Sequence, residues 1–203
     1  MRKRSLTASV VAYMCAGFVS AALAGAALVG APAASAAGLP TTPASGSFVF
    51  KTANGILSTW NSEDLRLTGV SPGSAVTNVI SATVTLPIVA KSGSANFAAG
   101  GFRITNTATG SFVNCATPAI DTRARVIDCV LRDGTNLPLF AMESIESRSF
   151  ALIGDTTGAQ YLGVRLRIAG QRAADFLNDE LDTNTFSPYI TIATGDLSVD
   201  YPR

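Results

Sequence analysis

The stretch Phe112–Leu131, FVNCATPAIDTRARVIDCVL, decides the reading of this chain, because it holds two of the three cysteines, Cys115 and Cys129. The third, Cys15, lies within a run with the marks of a leader. An exported product would therefore keep an even pair, and an even cysteine count outside the reducing cytosol favours a disulfide. The thirteen intervening residues include Thr117, Pro118 and Asp121, residue types that turn a chain back on itself. The pattern predicts a stapled β-hairpin, with the remaining chain assembled around it.

The leader is read from its three parts. Met1–Arg4 (MRKR) is a basic n-region, Val10–Val29 is rich in Ala, Val and Leu, and Ala34, Ser35 and Ala36 form an A-x-A site. Together these describe a secretory signal peptide, residues 1–36, cleaved after Ala36. Gly17 and Gly25 interrupt the apolar run, and Tyr13 and Met14 stand before Cys15 where a lipoprotein site needs small residues. Removing Arg2, Lys3 and Arg4 with the leader leaves 12 Lys+Arg against 14 Asp+Glu in about 167 residues, so the net charge moves from +1 to −2. Near-neutrality gives no basic footprint for nucleic acid, and no second apolar span follows. The expected product is secreted, with no integral membrane segment, either released or held at the cell envelope by non-covalent contacts.

Residues 37–47 (AGLPTTPASGS for 37–47) are expected to be a flexible lead-in, and 48–203 a single domain. Phe48 and Phe50, then Leu65 and Leu67, suit short half-buried strands, with Trp60 between them as a core residue. From Val79 to Val89, Ile80, Ala82, Val84, Leu86 and Ile88 face one way. Gly100 and Gly101 mark a bulge or bend, Asp133-Gly134 a turn, and Leu137–Met142 a buried strand. In Tyr161–Ile168, Leu162, Val164, Leu166 and Ile168 share one face, while Tyr161, Arg165 and Arg167 share the outer one. The expected inward set is Ile80, Val84, Leu86, Leu162, Val164, Leu166 and Ile168. Only Gln171–Leu181 has helical spacing, with Gly170 as its N-cap. Strands Tyr189–Ala193 and Leu197–Tyr201 change phase at Gly195. The predicted fold is all-β, an antiparallel two-sheet sandwich or flattened barrel of nine to eleven strands with one short helix near the C-terminus.

The chemistry is bounded by what is missing. There is no histidine in the chain, which removes the commonest general base and every Ser-His-Asp or Cys-His site. The acids are scattered; Asp179, Glu180, Asp182 and Asn184 cluster but match no calcium loop and are read as solvated charges. No catalytic residue, metal site or cofactor is assigned. The function expected is a non-catalytic binding or structural module of the bacterial cell surface, whose partner is an envelope component or another protein. A secreted carboxylate-dependent hydrolase is the further alternative. The candidate ligand-binding residues are Tyr161, Arg165 and Arg167: a tyrosine beside Gly163, which leaves room for a flat ring, and two arginines suited to an anion or polysaccharide. On a wet strand face the same arginines serve solubility.

Gly100-Gly101-Phe102, the run AIDTRARVIDCVL from Ala119, Pro138-Leu139-Phe140, and AADFLNDEL followed by Thr183, Phe186 and Gly195 resemble secreted actinobacterial β-domains. In particular, the stretch from Ile80 to Asp200 is similar to the haem-transport-associated (Hta-type) domain of surface proteins. The resemblance implies a two-sheet domain displaying a binding surface, and a haem or small-ligand carrier in which a tyrosine assisted by a histidine holds the iron. This chain departs from that pattern: it has no histidine, and its tyrosines beyond the leader are Tyr161, Tyr189 and Tyr201.

Overall fold

Thirteen strands and two helices make up residues 41–203, the part described by the computed structural model. The signal-peptide reading, Cys15 and residues 37–40 of the lead-in lie outside the described residues. The strands are β1 (Thr42–Pro43), β2 (Ser45–Thr52), β3 (Leu65–Val70), β4 (Ser74–Thr77), β5 (Ala82–Ser92), β6 (Ala95–Ala98) and β7 (Gly101–Asn106), followed by β8 (Phe112–Asp121), β9 (Val126–Val130), β10 (Asn136–Ser144), β11 (Ser147–Ile153), β12 (Thr156–Ile168) and β13 (Thr191–Pro202). Helix α1 (Ile56–Ser62) follows β2 and α2 (Gln171–Leu181) follows β12.

The all-β class stands, and the sheet closes on itself. Antiparallel pairing runs β5-β2-β13-β12-β10-β9-β8-β6 and returns from β6 to β5. Instead of two separate sheets there is one barrel of eight strands, with β1 and β4 on β5, β7 on β8, β3 on β7, and β11 on β12 as additions. Residues 42–47, expected as a lead-in, form β1 and the start of β2: Thr42 pairs with Lys91, and Ser47 with both Pro87 and Ser198. Among the described residues no helix is long and apolar enough to cross a membrane.

Inside the barrel, Phe48, Phe50, Phe102 and Phe140 form a chain of rings with centroids 5.5, 5.8 and 5.6 Å apart. Helix α2 lays Ala173, Ala174, Leu177 and Leu181 against this core, as its spacing predicts. Helix α1 escapes the sequence reading because it is only seven residues long; Leu57 and Trp60, three apart, are its buried stripe. Trp60 packs on Phe186, 5.5 Å between centroids.

Val84, Leu86, Val164, Leu166 and Ile168 are buried as predicted, whereas Ile80 and Leu162 are 67% and 44% exposed. Ile80 precedes β5: the Asn78 side chain accepts hydrogen bonds from the Ile80 and Ser81 N–H groups, and this local turn delays the strand until Ala82. Leu162 is displaced by a β-bulge. Tyr161 pairs with Leu197 and Val164 with Gly195, so β12 carries one extra residue there. Gly163 adopts φ +63°, and its N–H donates to Asp196 Oδ1 at 2.8 Å. Before the bulge Ala159 and Tyr161 face inward; after it Val164, Leu166 and Ile168 do. A second shift, between Ile192 and Ala193, places the phase change of β13 before Gly195 and leaves β13 one continuous strand.

Cys115 and Cys129 form a disulfide with Cα atoms 4.8 Å apart, both fully buried between β8 and β9. Thr117 and Pro118 do not turn the chain. They lie within β8, where Thr117 (φ +41°) sits in a bulge, and the reversal comes four residues later. Gly101 packs against this strand so closely that a Cβ would meet the Cys115 carbonyl oxygen. Reducing the bond should cost about 3 kcal/mol and lower the melting temperature by about 6 to 12 °C, with no free thiol detectable before reduction in a secreted product that has lost Cys15 with its leader. Val164→Asp would bury an unpaired carboxylate at a position 1% exposed. A loss of several kcal/mol is expected, a large part of a typical total of roughly 5 to 15 kcal/mol, read by denaturant unfolding.

Candidate functional site

The reversal between β8 and β9, Asp121–Arg125, is held by Asp121. Its Oδ1 accepts hydrogen bonds from Ser94 Oγ (2.8 Å), Arg123 N (2.9 Å) and Ala124 N (2.8 Å). Burial pushes the Asp121 carboxyl up, but these hydrogen bonds and the Arg123 charge outweigh it and hold the group below the usual carboxylate range. Arg125 takes a left-handed φ of +58°, and its carbonyl accepts from Met142 N of β10 at 2.9 Å. Thr122 N donates to Ser94 O at 3.2 Å. A turn tied to β6, β9 and β10 in this way gives two exposed arginines, Arg123 and Arg125, a fixed base.

Opposite the turn stands the β11–β12 hairpin. Arg148 pairs with Tyr161, and Phe150 packs edge-on to the Tyr161 ring, 6.0 Å between centroids and 86° between planes. Thr122 Oγ1 lies 3.4 Å from the Tyr161 hydroxyl. Thr122, Arg123, Arg125, Arg148, Phe150 and Tyr161 enclose a cleft of about 380 Å³ whose lining carries three guanidinium groups and no acid. A second cleft, about 410 Å³, is lined by Leu131, Arg132, Asp133, Phe176 and Glu180, so two acids outweigh its one arginine.

The structure therefore separates the three residues expected to act together. Arg165 and Arg167 lie beyond the Gly163 bulge on the outer face; Arg165 is exposed, and Arg167 Nη1 donates to Pro188 O at 3.0 Å. Tyr161, expected to face outward, is half-buried against the core and shares its cleft with Arg123, Arg125 and Arg148. Those arginines carry no periodic signal in the sequence, since two sit in a turn and one on a strand whose residues are all exposed. Asp128, on β9, has its pKa raised by burial first and by Asp121 second.

No family model, curated protein or solved structure matches this chain. The cleft is thus interpreted from its own residues.

Because the folded pKa of Asp121 is depressed, its contribution to stability is present above the unfolded carboxylate value, about 3.9, and fades as pH falls through the lower folded value. Asp121→Ala should cost about 1 kcal/mol at pH 6. The gap between the variant and the parent chain should close below about pH 4, measured by urea unfolding across pH.

Proposed function

We propose that this chain is an exported, non-catalytic binding module of the bacterial cell surface that engages an anionic envelope component or protein partner at the Arg123, Arg125 and Arg148 cleft. The observation that carries the reading is the lining itself: three exposed guanidinium groups on a tied turn and an adjoining strand, with no acid among them. Guanidinium groups match carboxylate, sulfate and phosphate oxygens in paired geometry, so a surface of this composition favours an anionic partner. The leader residues 1–36 and the buried disulfide support export. The chain has no histidine for general base catalysis. A carboxylate-dependent hydrolase would draw on Asp128 and Asp121, and the Asp121 Oδ1 atom is already taken up by three donors.

Haem or small-ligand carriage in the manner of the Hta-type domain is favoured by one observation, a tyrosine in the same cleft as three arginines. Tyrosinate can hold haem iron without histidine, and arginines suit propionates. Against it, the Tyr161 hydroxyl sits beside Thr122 and the ring beneath Phe150.

The full chain, expressed in a secreting bacterial host, should leave the cell as a product beginning near Ala37. It should sediment with isolated envelopes, and the double variant Arg123→Glu, Arg125→Glu should lose at least tenfold in that association while remaining folded by circular dichroism at the assay temperature. Equal sedimentation of the variant rejects the cleft as the contact. Hemin titration should give no saturable Soret shift; a stoichiometric shift abolished by Tyr161→Phe would make the carrier reading the leading one.

A further inference from the structure

We propose that β11 is a docking edge on which an extended acidic segment of a partner protein adds as an antiparallel strand, seating its carboxylate against Arg148, Arg123 and Arg125. This rests on the binding-module reading and specifies the partner's chemistry.

Among the described residues, strand β11 is paired along its length on one side only, from Ser147 opposite Leu162 to Ile153 opposite Thr156. In an antiparallel ladder alternate residues turn their N–H and C=O groups away from the partner strand, so β11 offers a row of free main-chain donors and acceptors. All seven of its residues are exposed. Natural edges are commonly blunted by lysine, proline, a bulge or an inward charge. The sequence SRSFALI has neither lysine nor proline, and its pairing with β12 runs without a register shift; its single charge, Arg148, guards the edge against a basic or uncharged strand but not against an acidic one. It exposes Phe150 by 63%, Leu152 by 63% and Ile153 by 75%. The edge is also firmly backed: β12 pairs with β13 from Thr156–Pro202 to Tyr161–Leu197, and Arg203 N donates to Asp155 O in the hairpin turn at 3.1 Å.

Alternation fixes what the added strand must carry. Phe150 packs on Tyr161, so Arg148, Phe150 and Leu152 share the cleft face of β11. A partner running antiparallel meets Leu152, then Phe150, then Arg148. Its own residues on that face should therefore read apolar, apolar, acidic at every second position. The charge of the cleft selects the occupant. Its lining holds no acid; Asp121, which interacts with Arg123, turns its Oδ1 into the turn, and the nearest acid along the strand, Glu146, lies against Gly163 of β12. A second copy of this chain docking edge to edge in this register would set its Leu152 opposite Arg148 and bring no acid to the cleft, whereas an acidic strand neutralises the arginines. Main-chain pairing then supplies affinity, and the alternate side chains supply specificity.

The test uses the full chain and a fluorescein-labelled peptide, Ser-Val-Thr-Val-Thr-Glu-Ser, followed by anisotropy and by amide exchange of residues 147–153. Saturable binding is expected, with slowed exchange in β11. It should weaken at least tenfold when the peptide's Glu is replaced by Lys, and when alternate peptide amides are N-methylated. Arg148→Glu, at an exposed position that should leave melting unchanged, should weaken binding of the Glu peptide at least tenfold and narrow its advantage over the Lys peptide. No saturable binding, equal binding of the Glu and Lys peptides, or undiminished binding of the N-methylated peptide would overturn the proposal. So would self-association of the chain that the peptide cannot displace. Should the peptide fail while the Arg123→Glu, Arg125→Glu variant still loses its hold on envelopes, strand addition falls and the binding-module reading stands; if both fail, both fall.

Discussion

Four residues, Ala95–Ala98, close the sheet, and the rest of the architecture depends on that closure. Strand β6 pairs with β5 through Ala90–Phe97 and with β8 through Ala119–Phe97, joining strands that are far apart along the barrel wall by other routes. Without it the wall would present two open edges flanking the Phe48, Phe50, Phe102 and Phe140 core; with it, every strand of the circuit has two neighbours. Asn96 on β6 is 1% exposed and turns its amide to Ile120 O at 3.2 Å, so even the polar residue of the closing strand supports the join to β8. The disulfide lies on the same wall, fixing β9 to β8 immediately beyond the closing strand. Closure and covalent bond thus constrain one neighbourhood, and the turn that carries Arg123 and Arg125 grows directly out of it.

The alternation along β5 and the second half of β12 was legible because both strands have one wet face and one face in the barrel, and the helix α2 because its apolar stripe is four residues deep. What periodicity could not reveal was where the phase slips. A bulge leaves no mark in an apolar pattern other than the residue that permits it, and Gly163, a glycine on a strand beside a tyrosine, suggests room for a ligand when its role is a left-handed backbone with its N–H turned to Asp196. That single slip inverted Tyr161. Closure itself is also invisible to local pattern, because a strand in a barrel and a strand in a sandwich share the same period of two.

The candidate site was half legible for a different reason. Tyr161 was singled out from the sequence, but its partners come from positions 123, 125 and 148, on a turn and on an edge strand that no core pattern describes. Their convergence follows from two contacts, Thr122 with Tyr161, which are distant in sequence, and Phe150 with Tyr161 within the β11–β12 hairpin. Unbroken alternation would put Arg165 and Arg167 on one face with the tyrosine; the bulge at Gly163 carries them to the other face. Residues that share a strand share a side only where the register is unbroken.

The composition of the cleft also determines which conditions it senses. Arginine stays charged across the whole accessible pH range, and the chain has no histidine to titrate near neutrality. Asp121, the carboxylate that orders the turn, is held below the ordinary carboxylate range, so it too stays ionised above acid pH. Proton concentration is therefore a weak lever on this surface. Ionic strength would be a strong one, because exposed guanidinium groups would attract an anionic partner through solvent, where interactions are screened beyond about 8 Å at physiological salt. The apolar residues Phe150, Leu152 and Ile153 beside them respond oppositely, since burial of apolar surface is insensitive to screening and is strengthened by kosmotropic salts. A contact using both halves would lose its electrostatic share as salt rises and keep the share contributed by the strand, so the residual affinity at high salt measures how much of the recognition belongs to β11.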